Sequence, residues 1–275
     1  MNTIKLKPKK RSQLRLLLGK TFYTTRRWIE WYTDSKKYAV IKDKELLPYT
    51  INAHKTPLLR KLKDVDMWYQ YNKITNLKIA VERINGIVLQ PGETFSYWRL
   101  IGKPSKQKGY VDGMVLYYGS FKPGVGGGLC QLSNLIYWIT LHTPLTVTER
   151  HRHSYDVFPD SNRKQPFGSG ATCSYNYMDL QITNHTNQPY QLHLKVTDQH
   201  LEGEWLSVEA PLYTYEIYEK EHKISHEYWG AYIRHNLIFR RVINRQKQVI
   251  DNEYITENHA LMMYEPFLEQ GKSGT

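Results

Sequence analysis

Between residues 66 and 87 apolar side chains fall at Met67, Ile74, Leu77, Ala80, Val81, Ile84 and Ile87. Spacing of three and four residues predicts a helix with one buried face, its last turn weakened by Gly86. Leu89 leads into Pro91-Gly92-Glu93-Thr94, a turn with proline preset for the bend. Phe95, Tyr97 and Leu100 then alternate in strand fashion. A second helix is predicted from Leu129, because Leu129, Leu132, Leu135, Ile136 and Ile139 again share one face. From about Thr143 onward the period falls to two. Residues 146–148, 179–183 and 190–196 read as strands, with Asn184-His-Thr-Asn187 between the last two as a hairpin turn. Residues 198–200 form another turn before 201–208. Segments 213–218, 228–242 and 248–255 stay rich in aromatic and β-branched residues.

These patterns predict an α+β fold: one compact domain with a mostly antiparallel sheet and a buried helix that starts at a Gly-rich loop. The expected organisation is a basic arm and connecting helix over 1–60, a central domain over 61–210, and a strand-rich extension over 211–275.

Charge alters this picture only at one end. Of the 38 Lys and Arg residues, nine lie in residues 1–27, where there is no Asp or Glu; the remaining 29 nearly balance 26 acidic residues. A net charge of +12 would suggest nucleic acid if it formed a face. Concentrated on an arm, with no nucleic-acid motif beside it, it does not, and no nucleic acid is expected. Mean hydropathy is −0.61, and no run of about 18 apolar residues would cross a bilayer. Arg15 and Lys20 interrupt the only apolar stretch near the N-terminus, so no cleaved signal peptide is expected. The segment from Leu14 to Tyr32 has two readings: a basic helix with its apolar stripe packed on the domain, or a helix lying on an anionic membrane surface. Localisation is accordingly expected in the cytoplasm or at the cytoplasmic face of the membrane.

One segment carries chemistry. Gly126-Gly127-Gly128-Leu-Cys130-Gln131 places a cysteine in the first turn of an apolar helix, directly after three glycines. A helix N-terminus favours an anion, which can stabilise a thiolate, and the glycine backbone could supply oxyanion donors. The competing reading is a small packed hydrophobe. A thiol nucleophile needs a base. His151 and His153 lie two apart in Glu149-Arg-His-Arg-His-Ser, so they share a side if the stretch is extended. His142 ends the same helix, about 18 Å away at 1.5 Å per residue, too far to serve. No Cys-x-x-Cys spacing occurs, so neither a metal nor another cofactor is expected. Cys173 lies in a strand candidate and reads as core.

Four blocks together resemble the VanW family: Pro91-Gly-Glu-Thr-Phe-Ser-Tyr-Trp, Gly126-Gly-Gly-Leu-Cys-Gln-Leu-Ser-Asn, Glu149-Arg-His-Arg-His-Ser and Gly168-Ser-Gly-Ala-Thr. Members accompany glycopeptide (vancomycin) resistance gene clusters and occur in Gram-positive cell-envelope proteins, some linked to L,D-transpeptidase-like cross-linking by a cysteine. The resemblance implies Cys130 as nucleophile, His153 as base with His151 beside it, and Gly126, Gly127, Gly128 and Gln131 as scaffold. Glu93 is implied near the site. The implied partner is a peptidoglycan peptide or its precursor, and the alternative role is a non-catalytic accessory or binding protein. The fourth block usually reads Gly-x-Asp-Ala-Thr. Here Gly170 replaces the Asp, leaving Asp156 and Asp179 as possible substitutes.

Overall fold

The computed structural model describes residues 12–59, 66–117, 120–157 and 165–264. In chain order the elements are α1 (Gln13–Thr33), β1 (Lys37–Tyr38), β2 (Tyr49–Pro57), α2 (Trp68–Ile84), β3 (Ile87–Leu89), β4 (Glu93–Ser96), α3 (Tyr97–Ile101), β5 (Asp112–Tyr117), β6 (Ser120–Val125) and α4 (Cys130–Leu141). They continue with β7 (Thr146–Glu149), β8 (Tyr155–Asp156), β9 (Gln181–Thr183), β10 (Tyr190–Val196), β11 (His200–Ser207), β12 (Tyr213–His226), β13 (Tyr232–Asn244) and β14 (Val249–Met262).

The fold is α+β, with mostly antiparallel strands. One sheet, ordered β2-β11-β10-β3, carries α2 and α4 against it. Leu77 and Ile84 of α2, Leu135 and Ile136 of α4, and Leu192, Leu201 and Trp205 of the sheet are almost wholly buried there. Trp205 satisfies its indole N–H by donating to Thr140 Oγ1 at 2.9 Å, as a buried Trp must. A second sheet, β1-β4-β9-β7, has one parallel pair at its edge. The third is a long meander, β12-β13-β14, to which β8 adds in parallel. β5 and β6 form a separate hairpin that delivers the chain to the glycines before α4.

Two local expectations fail, each for a visible reason. Residues 95–100 do not continue as a strand. Ser96 caps α3 by accepting from Arg99 N at 3.3 Å, and Asp179 Oδ1 takes the Trp98 N–H at 2.9 Å. Capping decides where alternation alone suggested extension. Residues 179–183 and 190–196 are not a hairpin either. β9, buried at all three positions, is enclosed by β4 and β7, whereas β10 pairs with β3 and β11. Asn184 diverts the chain between the sheets, donating to Leu89 O at 2.9 Å and to Gln188 O at 2.8 Å.

Candidate functional site

Cys130 is the first residue of α4, and Cys173 lies in the loop opposite it. The Cys130 thiol contacts Cys173 O at 3.8 Å, and both cysteines are free. Ser133, one turn along α4, donates to Ala171 O at 2.7 Å and holds the loop against the helix. Tyr97, fully buried, donates its hydroxyl to Leu129 O, the residue before Cys130, at 2.9 Å.

The helix N-terminus does not give Cys130 a stabilised thiolate. Burial pushes its thiol up, outweighing nearby backbone groups that favour the anion. Cys173 is pushed well above its ordinary value by burial, and the charges of Cys130, Asp179 and Glu149 add to this. Both thiols rest protonated at neutral pH.

The glycines do not offer oxyanion donors either. Gly126 N–H donates to Val111 O, Gly127 N–H to Gly124 O and Gly128 N–H to Met114 O, at 2.9 to 3.0 Å. Their role is close packing. A Cβ on Gly127 would lie 2.1 Å from Gly113 C and 2.6 Å from Met114 N, and Asn76 Nδ2 donates to Gly127 O at 2.9 Å. Gly127→Ala therefore forces backbone against backbone. It should cost about 3 kcal/mol, the upper end for overpacking. Gly92→Ala, with a positive φ but open space, should cost only about 1 kcal/mol. Urea melts of both variants check this; a Gly127→Ala midpoint no lower than that of Gly92→Ala would refute the packing account. Gln131 is likewise a tie, with Nε2 donating to Thr56 Oγ1 at 2.9 Å and to Pro57 O at 3.0 Å.

At the end of β7 the chain assembles a charged cluster. Arg27 from α1 donates both guanidinium ends to Glu149, each at 2.6 Å. Glu149 Oε1 also pairs with His151 Nε2 at 2.9 Å and accepts from Asp179 N at 3.1 Å. Burial alone would raise the Glu149 carboxyl; the bonds from His151 and Arg27, with Arg27's charge, hold it at about 2. Asp179 is fully buried. Burial pushes it up to about 6, against the bonds from Ser96 and Trp98 and with the Glu149 charge adding to the rise. His151 O accepts from Thr172 N at 2.8 Å, which fixes the histidine segment after β7 beside the Cys173 loop.

The sequence-derived residues thus separate. Cys130 and His151 lie on segments that both meet the Thr172–Cys173 loop. Burial, then the Arg152 charge, pushes the His153 imidazole down, and neither His153 nor His151 is hydrogen-bonded to Cys130 among the described residues. Glu93 closes its own turn by accepting from Gln90 N at 3.0 Å. His142 caps α4, its Nδ1 2.9 Å from Trp138 O. At Gly170 a Cβ would meet Asn134 Oδ1 at 2.6 Å, and that oxygen accepts from Ala171 N at 2.8 Å. Asn134 therefore occupies the space that a side chain at position 170 would need. Of the two substitutes, Asp179 joins the cluster, whereas Asp156 hydrogen-bonds Tyr264 beside Arg234. The motifs alone do not point to Arg27, Glu149 or Cys173 as members of the cluster. Glu149 was findable, two positions before His151 and so on the same side of an extended strand. Arg27, 122 residues from Glu149, gave no signal. Among the described residues no group of three His, Cys, Asp or Glu side chains could hold a metal.

The α+β domain places the Cys130 thiol against the Cys173 loop, with the Glu149–His151 pair on the segment bonded to that loop. The chain belongs to the VanW family: the model of VanW-like proteins matches residues 72–206. It is 33% identical over 227 residues to the vancomycin B-type resistance protein VanW of Enterococcus faecalis, covering 82% of each chain. It is 30% identical over 120 residues to YoaR of Bacillus subtilis, covering 44% of this chain and 38% of that one. No solved structure matches.

Proposed function

We propose that this protein acts in glycopeptide resistance at the cell wall, as a cysteine acyltransferase on peptide stems of peptidoglycan or its precursor. Cys130 Sγ attacks a stem carbonyl and forms a thioester. His151, oriented by Glu149, takes the thiol proton and passes it to the departing amine. The amine of a second stem then attacks the thioester and restores the thiol. The observation carrying this reading is the Glu149–His151 pair at 2.9 Å, on a segment tied by Thr172 to the Cys173 loop that touches Cys130. A protonated resting thiol suits it, because such a thiol needs a base. The resistance protein of E. faecalis supports the process by its likeness along most of both chains.

A second reading, a non-catalytic accessory or binding protein, is favoured by the internally bonded glycine N–H groups and the raised thiols. Cys130→Ala separates the two. Under the catalytic reading it abolishes the protein's contribution to resistance and to the muropeptide profile, while the melting temperature stays within a few degrees. His151→Gln should do the same and His153→Gln far less. Retained resistance and an unchanged muropeptide profile in Cys130→Ala would establish the accessory role.

A further inference from the structure

Helix α1 has a face that the domain leaves uncovered. Leu14, Leu17, Leu18 and Phe22 keep between 61% and 66% of their surface exposed. They recur at three- and four-residue spacing and so form one stripe, which Trp28, Ile29 and Tyr32, also exposed, extend along the helix. The opposite side holds the domain: Arg27 and Trp31 are buried, Arg27 in its fork on Glu149. One reading of the sequence expected the stripe to pack on the domain; Leu14, Leu17, Leu18 and Phe22 do not, and only its far end reaches the domain, with Tyr32 under the Arg99 guanidinium at 5.4 Å. Apolar side chains in water at this density mark an interaction surface.

Charge selects the occupant. Exposed Arg15, Lys20 and Arg26 border the stripe, and no acidic residue precedes Glu30. Those charges prevent α1 from crossing a bilayer, and no described helix is long and apolar enough to do so. An apolar face edged by cations, carrying Trp and Tyr, suits the boundary between headgroups and acyl chains of an anionic leaflet. We propose that α1 lies in the plane of an anionic lipid surface, its outer stripe inserted while its inner face stays docked on the domain. At 21 residues it would span roughly 32 Å of that surface. The Arg27 fork fixes the inner face, so insertion needs no undocking, and the Glu149 cluster is held facing the membrane-bound helix. This goes beyond the acyl-transfer reading and does not depend on it.

The test uses the full chain with vesicles of phosphatidylcholine alone or mixed with phosphatidylglycerol at low salt. Binding to the anionic vesicles should exceed that to the neutral ones at least tenfold, and rising salt should weaken it. The double variant Leu17→Glu/Phe22→Glu should lose at least tenfold in partitioning. Ile250→Glu, at an exposed position of β14, should not change it. All these positions are exposed, and melting temperatures close to the parent's confirm intact folding. Equal partitioning of the double variant and the parent would overturn the proposal. So would a dimer of the parent that fails to bind vesicles and that the double variant converts to monomer, since the stripe would then be a self-association face.

Discussion

Arg27→Ala is expected to lower the stability of the folded chain by about 3–5 kcal/mol, the range for removing one partner of a buried ion pair. Arg27 is 7% exposed and meets both Glu149 oxygens at 2.6 Å. Its removal leaves a half-buried carboxylate with only a histidine and one backbone N–H. The loss is more than a salt bridge, because Arg27 also fastens α1 to β7 across 122 residues of chain. The midpoint of thermal unfolding should fall by roughly 10 °C. Arg26→Ala, one residue away but exposed, should cost under about 0.5 kcal/mol. In a double-mutant cycle with Glu149→Ala the two losses should be markedly non-additive, because the partners touch. Glu149→Ala also strands the Asp179 N–H, so the double variant should not recover full stability. If Arg27→Ala melted with Arg26→Ala, the fork would have no energetic weight.

The sequence made the scaffold readable where one period dominated. α2 and α4 follow from apolar spacing, and α4 begins at Cys130 because the glycines before it suit turns and Leu129 opens the buried stripe. The β10–β11 hairpin followed from its turn at 198–200. Periodicity failed where a distant group overruled it. Asp179 converts 97–101 into a helix by capping it from 81 residues away, and β9 leaves its expected hairpin for the gap between β4 and β7. The site shows the same division. Cys130 and its histidine block were visible as motifs. Which histidine meets a carboxylate depended on Glu149, and what the glycines do depended on Gly113, which only folding brings within 2.1 Å of a Cβ on Gly127. The thiolate expectation treated the helix terminus in isolation, and desolvation of the Cys130 thiol outweighs it.

Asp179 should make the protein less stable as pH rises from about 4 to about 6, opposite to the usual carboxylate. Its folded-state value is pushed up from 3.8 to about 6, burial being the first cause. Below pH 4 it is protonated whether the chain is folded or not. Between 4 and 6 only the folded chain keeps the proton, and above 6 folding confines a charge where water cannot reach it. The stabilising contribution is therefore full below the unfolded value and is lost through the folded one, amounting to about 3 kcal/mol. Glu149 acts in the other direction. Held at about 2 against 4.5, its contribution is full above 4.5 and lost as pH falls toward 2. Asp179→Asn isolates the first effect. The amide can still accept from Trp98 N and Leu180 N and donate to Ser96, which in the parent bonds Asp179 at 2.5 Å. It cannot ionise. Urea melts at pH 4 and pH 7 should show Asp179→Asn gaining on the parent by about 3 kcal/mol across that interval. Asp179→Ala, which leaves both N–H groups buried without an acceptor, should lose stability at both values. Parallel pH profiles for the parent and Asp179→Asn would mean that Asp179 titrates alike in both states. In that case its charge would act on Cys173 at every pH above 4 and could not gate the thiols near neutrality. If the profiles diverge as expected, the charge beside the thiols changes at about pH 6, and alkylation of Cys173 should slow above that point relative to Asp179→Asn.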